Sequence, residues 1–232
     1  RGVCCWKFNV FLKREEGRRK REERRGKREE RRGSKEISNR INFKFKNMSD
    51  TNHLETATLG GGCFWCVEAV YQNMEGVHRV VSGYAGDTEG KANYKLVSAG
   101  ATNHAEVVQV TFDPEVISYK EILDIFWQAH DPTTLNRQGN DVGPQYRSVI
   151  FYHNDEQKRI AEQSKAEVAP QIWDAPVVTE IAPLDGFYEA EAYHQNYYKN
   201  VGSRNPYCTY IITPKVKKIK KLFGDKLKAE AK

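Results

Sequence analysis

The sequence predicts an α+β fold: a split βαβ, ferredoxin-like two-layer sandwich with extra helix and strand elements at its C-terminal end. Its frame is an antiparallel sheet with helices on one face. Three observations predict it. Apolar residues switch between strand spacing and helical spacing in the order β-α-β-β-α-β. A further α-β-α run follows the sixth element. Two long loops full of turn formers fall inside the first six elements, where structureless chain is usually functional.

The elements follow in order. "ETATLGG" has strand character and ends in glycines. Phe64, Val67, Val70, Tyr71 and Met74 then recur at helical spacing until Gly76 stops the run. "VHRVVSGYAG" reads as a strand, and "GDTEGKANYKLVSAGATNH" as a long loop. "AEVVQVTF" is a strand by alternation and β-branching. "SYKEILDIFWQAH" is a helix whose Ser118 and Glu121 form a capping box. Its stripe Ile122, Ile125, Phe126 and Ala129 is core. "DPTTLNRQGNDVGPQY" is the second long loop, and "RSVIFY" a strand. Asn154 or Asp155 caps the helix "EQKRIAEQSKAEVA". "PVVTEIAPL" is a strand, and "YEAEAYHQNYYKN" is helical, with Tyr193, Tyr197 and Tyr198 packing or lining a pocket rim.

Charge separates this body from its two ends. The 232 residues carry 37 Lys/Arg and 31 Asp/Glu. Residues 1–47 hold 18 of the basic residues against 7 acids, and residues 215–232 hold 8 against 2. The body, 48–214, is acidic, with 11 basic residues against 22 acids. The basic pI therefore describes the ends, and the acidic body argues against a broad nucleic-acid face. "KREEGRRKREERRGKREERRG" repeats about every seven residues without one apolar position, which excludes a coiled coil. Its four residue types can all be written with purine codons. Residues 1–47 are accordingly expected to be a disordered or non-native upstream extension, with Met48 as the biological start. Residues 215–232 are expected to form a basic tail or a docked helix, with Val216, Ile219, Phe223 and Leu227 under the lysines. No apolar run is long enough to span a membrane, and five cysteines, an odd number, suit a reducing cytosol.

The chemistry concentrates at "GGGCFWCVEA". Zinc needs four ligands: Cys63 and Cys66 could give two, but Cys208 is alone and the histidines show no paired spacing. A thioredoxin-type dithiol fits the strand-to-helix position, but Phe-Trp suits docking on a partner disulfide poorly. Two buried structural cysteines are the bland alternative. The remaining reading is a nucleophile. Cys63 sits where a glycine turn feeds a helix, so backbone N–H groups and the helix dipole favour its thiolate. Phe64 and Trp65 set an apolar wall beside it, which suits a small apolar group such as a methyl.

"GGCFWCVEAVYQNMEGV" resembles the signature of peptide methionine sulfoxide reductase A. So do "GYAG", "HAEVVQVTFDP", "FWQAHDPTTLNRQGNDVGPQYRS" and "YHQNYY", all in family order over roughly residues 54 to 214. The resemblance implies a catalytic domain over 48–214 that reduces the S-epimer of methionine sulfoxide, free or in proteins. It implies a repair enzyme of oxidative stress, without cofactor or metal, cytoplasmic and monomeric, recycled by thioredoxin. By motif, Cys63 resembles the nucleophile, and Phe64 and Trp65 the methyl pocket. Glu106 of "HAE" resembles the acid that protonates the sulfoxide oxygen. Tyr94, Tyr146 and Asp141 resemble polar groups around that oxygen. Asn103 before His104, and "GDTEGKANY" before Tyr94, depart from the family pattern. The chemistry agrees: attack on sulfur needs a protonated carboxyl kept neutral by desolvation, and two phenols can stabilise the oxygen. The product, a sulfenic acid, condenses with a second thiol. Cys208, on what many members carry as a mobile tail, is favoured as the resolving cysteine, with Cys66 as the competitor. A nucleic-acid-binding module with structural cysteines is the rival class.

Overall fold

The computed structural model describes residues 53–231. The expectations for residues 1–47, for Cys4 and Cys5 and for a start at Met48 lie outside them. The described chain opens with β1 (Glu55–Gly61), helix α1 (Phe64–Tyr71) and β2 (Val77–Ala85). A short helix α2 (Tyr94–Ser98) precedes β3 (Ala105–Phe112), and α3 (Tyr119–Ala129) follows it. A two-residue ribbon, β4 (Arg137–Gln138) with β5 (Asp141–Val142), leads to β6 (Ser148–Tyr152). Then come α4 (Asp155–Glu167), α5 (Ala169–Ile172), β7 (Glu180–Pro183) and β8 (Phe187–Glu189). Helices α6 (Tyr197–Val201) and α7 (Thr213–Leu222) close the chain.

The fold is α+β. Six strands form one sheet in the order β7-β6-β1-β3-β2-β8. All neighbours are antiparallel except β6 and β7, which run parallel because α4 carries the chain back between them. The main core lies on the face covered by α1 and α3. There Leu59, Val108, Val110 and Ile150 meet Phe64, Val67, Ile122, Phe126 and Trp127, all buried. Fully burying each of the larger side chains is worth about 1.5–3 kcal/mol. A smaller cluster occupies the opposite face, where Val107, Val149 and Phe151 pack under Leu184 and Phe187. Strand β3 is thus covered on both faces.

Local chemistry explains the helix starts. Ser118 Oγ accepts the Glu121 N–H, and Glu121 Oε2 accepts the Ser118 N–H at 2.8 Å, completing the capping box of α3. Asn154 Oδ1 accepts the Gln157 N–H and caps α4. The stripe Ile122, Ile125, Phe126 and Ala129 is buried. Helix α7 lays Val216 and Ile219 into the core, and Leu227 joins them.

Two segments differ from the sequence reading. The loop before β3 contains α2, because Asn93 Oδ1 accepts the Leu96 N–H and starts a helical turn at Tyr94. "YEAEAYHQNYYKN" is not one helix. It splits into β8, a 3₁₀ turn at Ala192–His194 and α6. The reason is side-chain competition with the helix ladder. Gln195 Oε1 accepts the Ser82 N–H, and its Nε2 donates to the carbonyls of Ser82 and Ala190. Asn196 then turns left-handed at φ +54°.

Candidate active site

The site grows from the end of β1. Gly62 has φ +90°, a region that suits glycine. A Cβ there would sit 2.5 Å from Gln138 Cγ, so the missing side chain lets the loop at Gln138 close against the turn. Gln138 holds that loop by accepting the Asp131 N–H and donating to the Asp131 carbonyl. Cys63 follows as the N-cap residue of α1, with its thiol side chain buried.

The first helical N–H, that of Phe64, donates to Glu106 Oε2 at 3.0 Å. Strand β3 brings this carboxylate from 42 residues away. Glu106 is buried, with no Lys or Arg paired to it among the described residues, and burial pushes its pKa up to about 8. The Phe64 N–H opposes that shift, while Asp141 and Cys66 add to it. The group is therefore mostly a neutral acid at pH 7.

Phe64 is fully buried, and Trp65 lies partly exposed beside it. Trp65 Nε1 donates to His194 Nδ1 at 3.1 Å. Its ring stacks on Tyr197 at 3.7 Å between centroids and 6° between planes. His194 fills the space behind, 5.0 Å from Phe64 and 4.5 Å from Tyr94.

The structure brings the predicted residues to one place. Cys63, Phe64, Trp65, Tyr94, Glu106, Asp141 and Tyr146 line a single cavity of about 70 Å³, together with Tyr207. That is space for a few water-sized groups, on the scale of a small substrate head and not of a whole side chain. Burial raises the phenol pKa of both Tyr94 and Tyr146, so both keep their O–H. Tyr207 donates to Asp141 Oδ2 at 2.6 Å and lies 3.9 Å from Cys66 Sγ.

The cysteines correct two expectations. The helix N-terminus was expected to favour a Cys63 thiolate. Instead burial, then Cys66 and Glu106, holds the Cys63 thiol well above its ordinary pKa. The leading N–H of α1 is committed to Glu106, and the desolvated sulfur sits among negative neighbours. Cys66 moves the other way, to about 7, because the Cys63 thiol hydrogen-bonds to it. Cys208 does not lie on an exposed tail. It is fully buried at the start of a π-helical turn, Cys208–Ile212, with α7 docked directly after it. Cys63, Cys66 and Cys208 are all free thiols.

Sequence reasoning passed over Tyr207, His194 and Glu68 as members or supports of the site, and took Tyr197 only as packing or rim. "YHQNYY" and "RNPY" contained three of the four, but their contacts reach back more than 120 residues to α1 or 66 to Asp141. Taken together, the cavity offers a nucleophilic sulfur, an apolar wall, a neutral carboxylic acid, phenol donors and a second thiol.

Known proteins share this arrangement of sequence. A family described as peptide methionine sulfoxide reductase matches residues 55–227. The peptide methionine sulfoxide reductase MsrA of Saccharolobus solfataricus is 57% identical over 175 residues, covering 75% of this chain and 98% of that protein. The MsrA of Leptospira borgpetersenii is 56% identical, covering 76% and 99%. Among solved structures, methionine sulfoxide reductase A of Corynebacterium diphtheriae has a TM-score of 0.58 at 34% identity, covering 64% of this chain and 75% of that one. Reduced Mxr1 from Saccharomyces cerevisiae also has a TM-score of 0.58, at 36% identity, covering 66% and 88%.

Proposed function

The chain belongs to the peptide methionine sulfoxide reductase family and is an oxidoreductase that reduces methionine sulfoxide; from that premise we propose how its residues divide the reaction. Cys63 attacks the sulfoxide sulfur as Glu106 delivers a proton to the oxygen, and the proton given up by the Cys63 thiol restores the Glu106 acid. Tyr94 and Tyr146 donate to that oxygen, and Asp141 anchors Tyr207 beside the second thiol. The oxygen passes from the substrate to the Cys63 sulfur. Methionine leaves, and Cys63 becomes a sulfenic acid. A second thiol then attacks it, forming a disulfide and releasing water.

Phe64 and Trp65 receive the methyl group. With the methyl on that wall, the oxygen on the acid side and the peptide at the mouth, three positions around the sulfur are assigned. One epimer alone then presents its sulfur to Cys63, and the family resemblance assigns it as the S form. Cys66 and Cys208 are the resolving candidates. Cys66 stands one turn along α1 from Cys63, its N–H donating to the Cys63 carbonyl at 3.0 Å, and this proximity favours Cys66 for the first disulfide, with Cys208 as the next thiol behind it. A thioredoxin-type dithiol returns the enzyme to its free thiols. The enzyme acts as a monomeric protein-repair catalyst in the cytosol, where such thiols stay reduced.

Residues 48–214 form the catalytic domain, with residues 215–232 as a basic C-terminal helix region. The central order β6-β1-β3-β2, crossed by α1 and α3, supports the split βαβ, ferredoxin-like description, with β7 and β8 added at the edges.

One observation carries the mechanism. A buried, neutral carboxyl is hydrogen-bonded by the N–H that directly follows the candidate nucleophile, in one small cavity. The test is turnover of N-acetyl-methionine sulfoxide epimers with dithiothreitol. Cys63→Ser should lower turnover of the S-epimer by more than about 10³-fold, as loss of a nucleophile does. Near-normal activity in that variant, or preference for the R-epimer, would overturn the assignment.

A further inference from the structure

We propose that Glu68 is a positioning residue for substrate specificity: through the backbone of Asn196 and Tyr197 it sets the outer wall of the pocket behind Trp65. This rests on the reading of Phe64 and Trp65 as the methyl pocket. Glu68 is fully buried, and no Lys or Arg pairs with it among the described residues. Its two oxygens are used instead by the backbone. Oε1 accepts the Asn196 N–H at 2.8 Å, and Oε2 accepts the Tyr197 N–H at 3.2 Å. Both donors belong to a left-handed turn, with Asn196 at φ +54° and ψ +32°, a conformation asparagine tolerates better than other residues with a Cβ but less readily than glycine. Gln72 Nε2 adds a bond to Asn196 Oδ1 at 2.8 Å.

Trp65 and Glu68 of α1 and its C-cap residue Gln72 stand at i, i+3 and i+7, on one stripe of the helix. Glu68 and Gln72 hold the turn, and the turn delivers the Tyr197 ring onto Trp65. Asn205 Nδ2 donates to the Tyr197 hydroxyl at 2.9 Å and fixes the far end of that ring. Neither Glu68 nor Tyr197 lines the reaction cavity. Their effect must therefore pass through the placement of Trp65. A carboxylate is the fitting group here, since two converging N–H donors need two acceptor oxygens. Glutamine offers one oxygen and turns an NH₂ toward the other donor. Glu68→Gln then leaves a buried N–H unpaired with little change in volume. The turn relaxes, Tyr197 withdraws and Trp65 loses its backing while Cys63 and Glu106 keep their places.

The experiment measures kcat and KM for S-sulfoxides of N-acetyl-methionine and N-acetyl-ethionine with dithiothreitol. A methylene in an apolar pocket discriminates by about 10-fold or more, so the wild type should prefer methyl by that ratio. Glu68→Gln should raise KM for the methyl substrate and lower the methyl preference at least about threefold, with kcat less affected. Adding Asn196→Gly should restore part of the preference, because glycine holds the left-handed turn unaided. Should Glu68→Gln not fold, Asn196→Ala carries the test. It keeps the carboxylate but penalises the turn, and must lower the same ratio. A ratio unchanged in Glu68→Gln or in Asn196→Ala overturns the proposal, as does an equal loss of kcat on both substrates without rescue. Trp65→Ala separates the two readings: if it leaves the methyl preference intact, the pocket assignment itself fails. If it abolishes the preference while Glu68→Gln preserves it, only the role of Glu68 fails.

Discussion

The inner and outer walls of the cavity are both held by a buried glutamate, and the two glutamates differ. Glu106, on the inner wall, accepts one backbone N–H, and burial lifts it to about 8. Glu68, behind the outer wall, accepts two, and the same kind of burial lifts it only to about 6. Burial together with the neighbouring Asp141 and Cys66 keeps Glu106 an acid, while a second backbone donor helps make Glu68 a charged brace. The walls also differ in construction. The inner one stands on β3 and the start of α1, inside the sheet ladder. The outer one is a string of short turns tied down by side-chain bonds to backbone. The inner wall is suited to chemistry, and the outer to shape.

Glu106→Gln breaks this contrast most severely. It removes the proton but keeps the volume, and the rate should fall about 10²–10⁴-fold, the usual contribution of a general acid. Wild-type kcat/KM should decline as pH rises through about 8, where Glu106 of the free enzyme ionises, and that decline should be missing from the residual rate of the variant. Stability has the same sign. The folded pKa lies above the ordinary value of 4.5, so the fold binds this proton more tightly than the unfolded chain. That contribution is complete below about pH 4.5 and is lost as pH rises to about 8. The wild-type melting temperature should therefore drop relative to Glu106→Gln across that window; parallel profiles would show that Glu106 ionises freely.

Gly62→Ala tests the inner wall at its turn. A Cβ at φ +90° would both strain the backbone and strike Gln138. Denaturant unfolding should show a loss of about 1–3 kcal/mol. A neutral result would mean that the loop at Gln138 yields easily, which makes the inner wall as adjustable as the outer.

Tyr197→Ala gives the smallest effect and probes the outer wall alone. Aromatic stacking is worth about 0.5–1.5 kcal/mol, so KM should rise about 3- to 10-fold with kcat held within about threefold. A collapse of kcat instead would erase the distinction between walls that do chemistry and walls that give fit.

The first half of the body was legible where local chemistry and pattern agree. The capping box at Ser118, the buried stripe of α3, the glycine end of β1 and the cysteine pair all lie within short windows, and a window is what a sequence displays. The later half was less legible. Residues 187–201 carry tyrosines at helical spacing, yet Gln195 spends its side chain on β2 and Asn196 turns left-handed. Both choices depend on partners more than 100 residues away. The helix α2 was missed for the opposite reason, since one Asn93 cap started a turn inside an otherwise polar stretch.

The sequence by itself determined the chemistry available: a cysteine at a glycine-fed helix start, an apolar pair after it, an acid in "HAE" and tyrosines in the long loops. Residue types and their local spacing carry that information because reactivity begins with functional groups. Only the tertiary structure decided their protonation and their order of action. Glu106 becomes an acid and Cys63 remains a thiol because both are desolvated by elements remote in the chain, and Cys208 is buried in the same main core. Desolvation and the count of converging N–H donors are properties of packed surroundings, and no short stretch of sequence contains them.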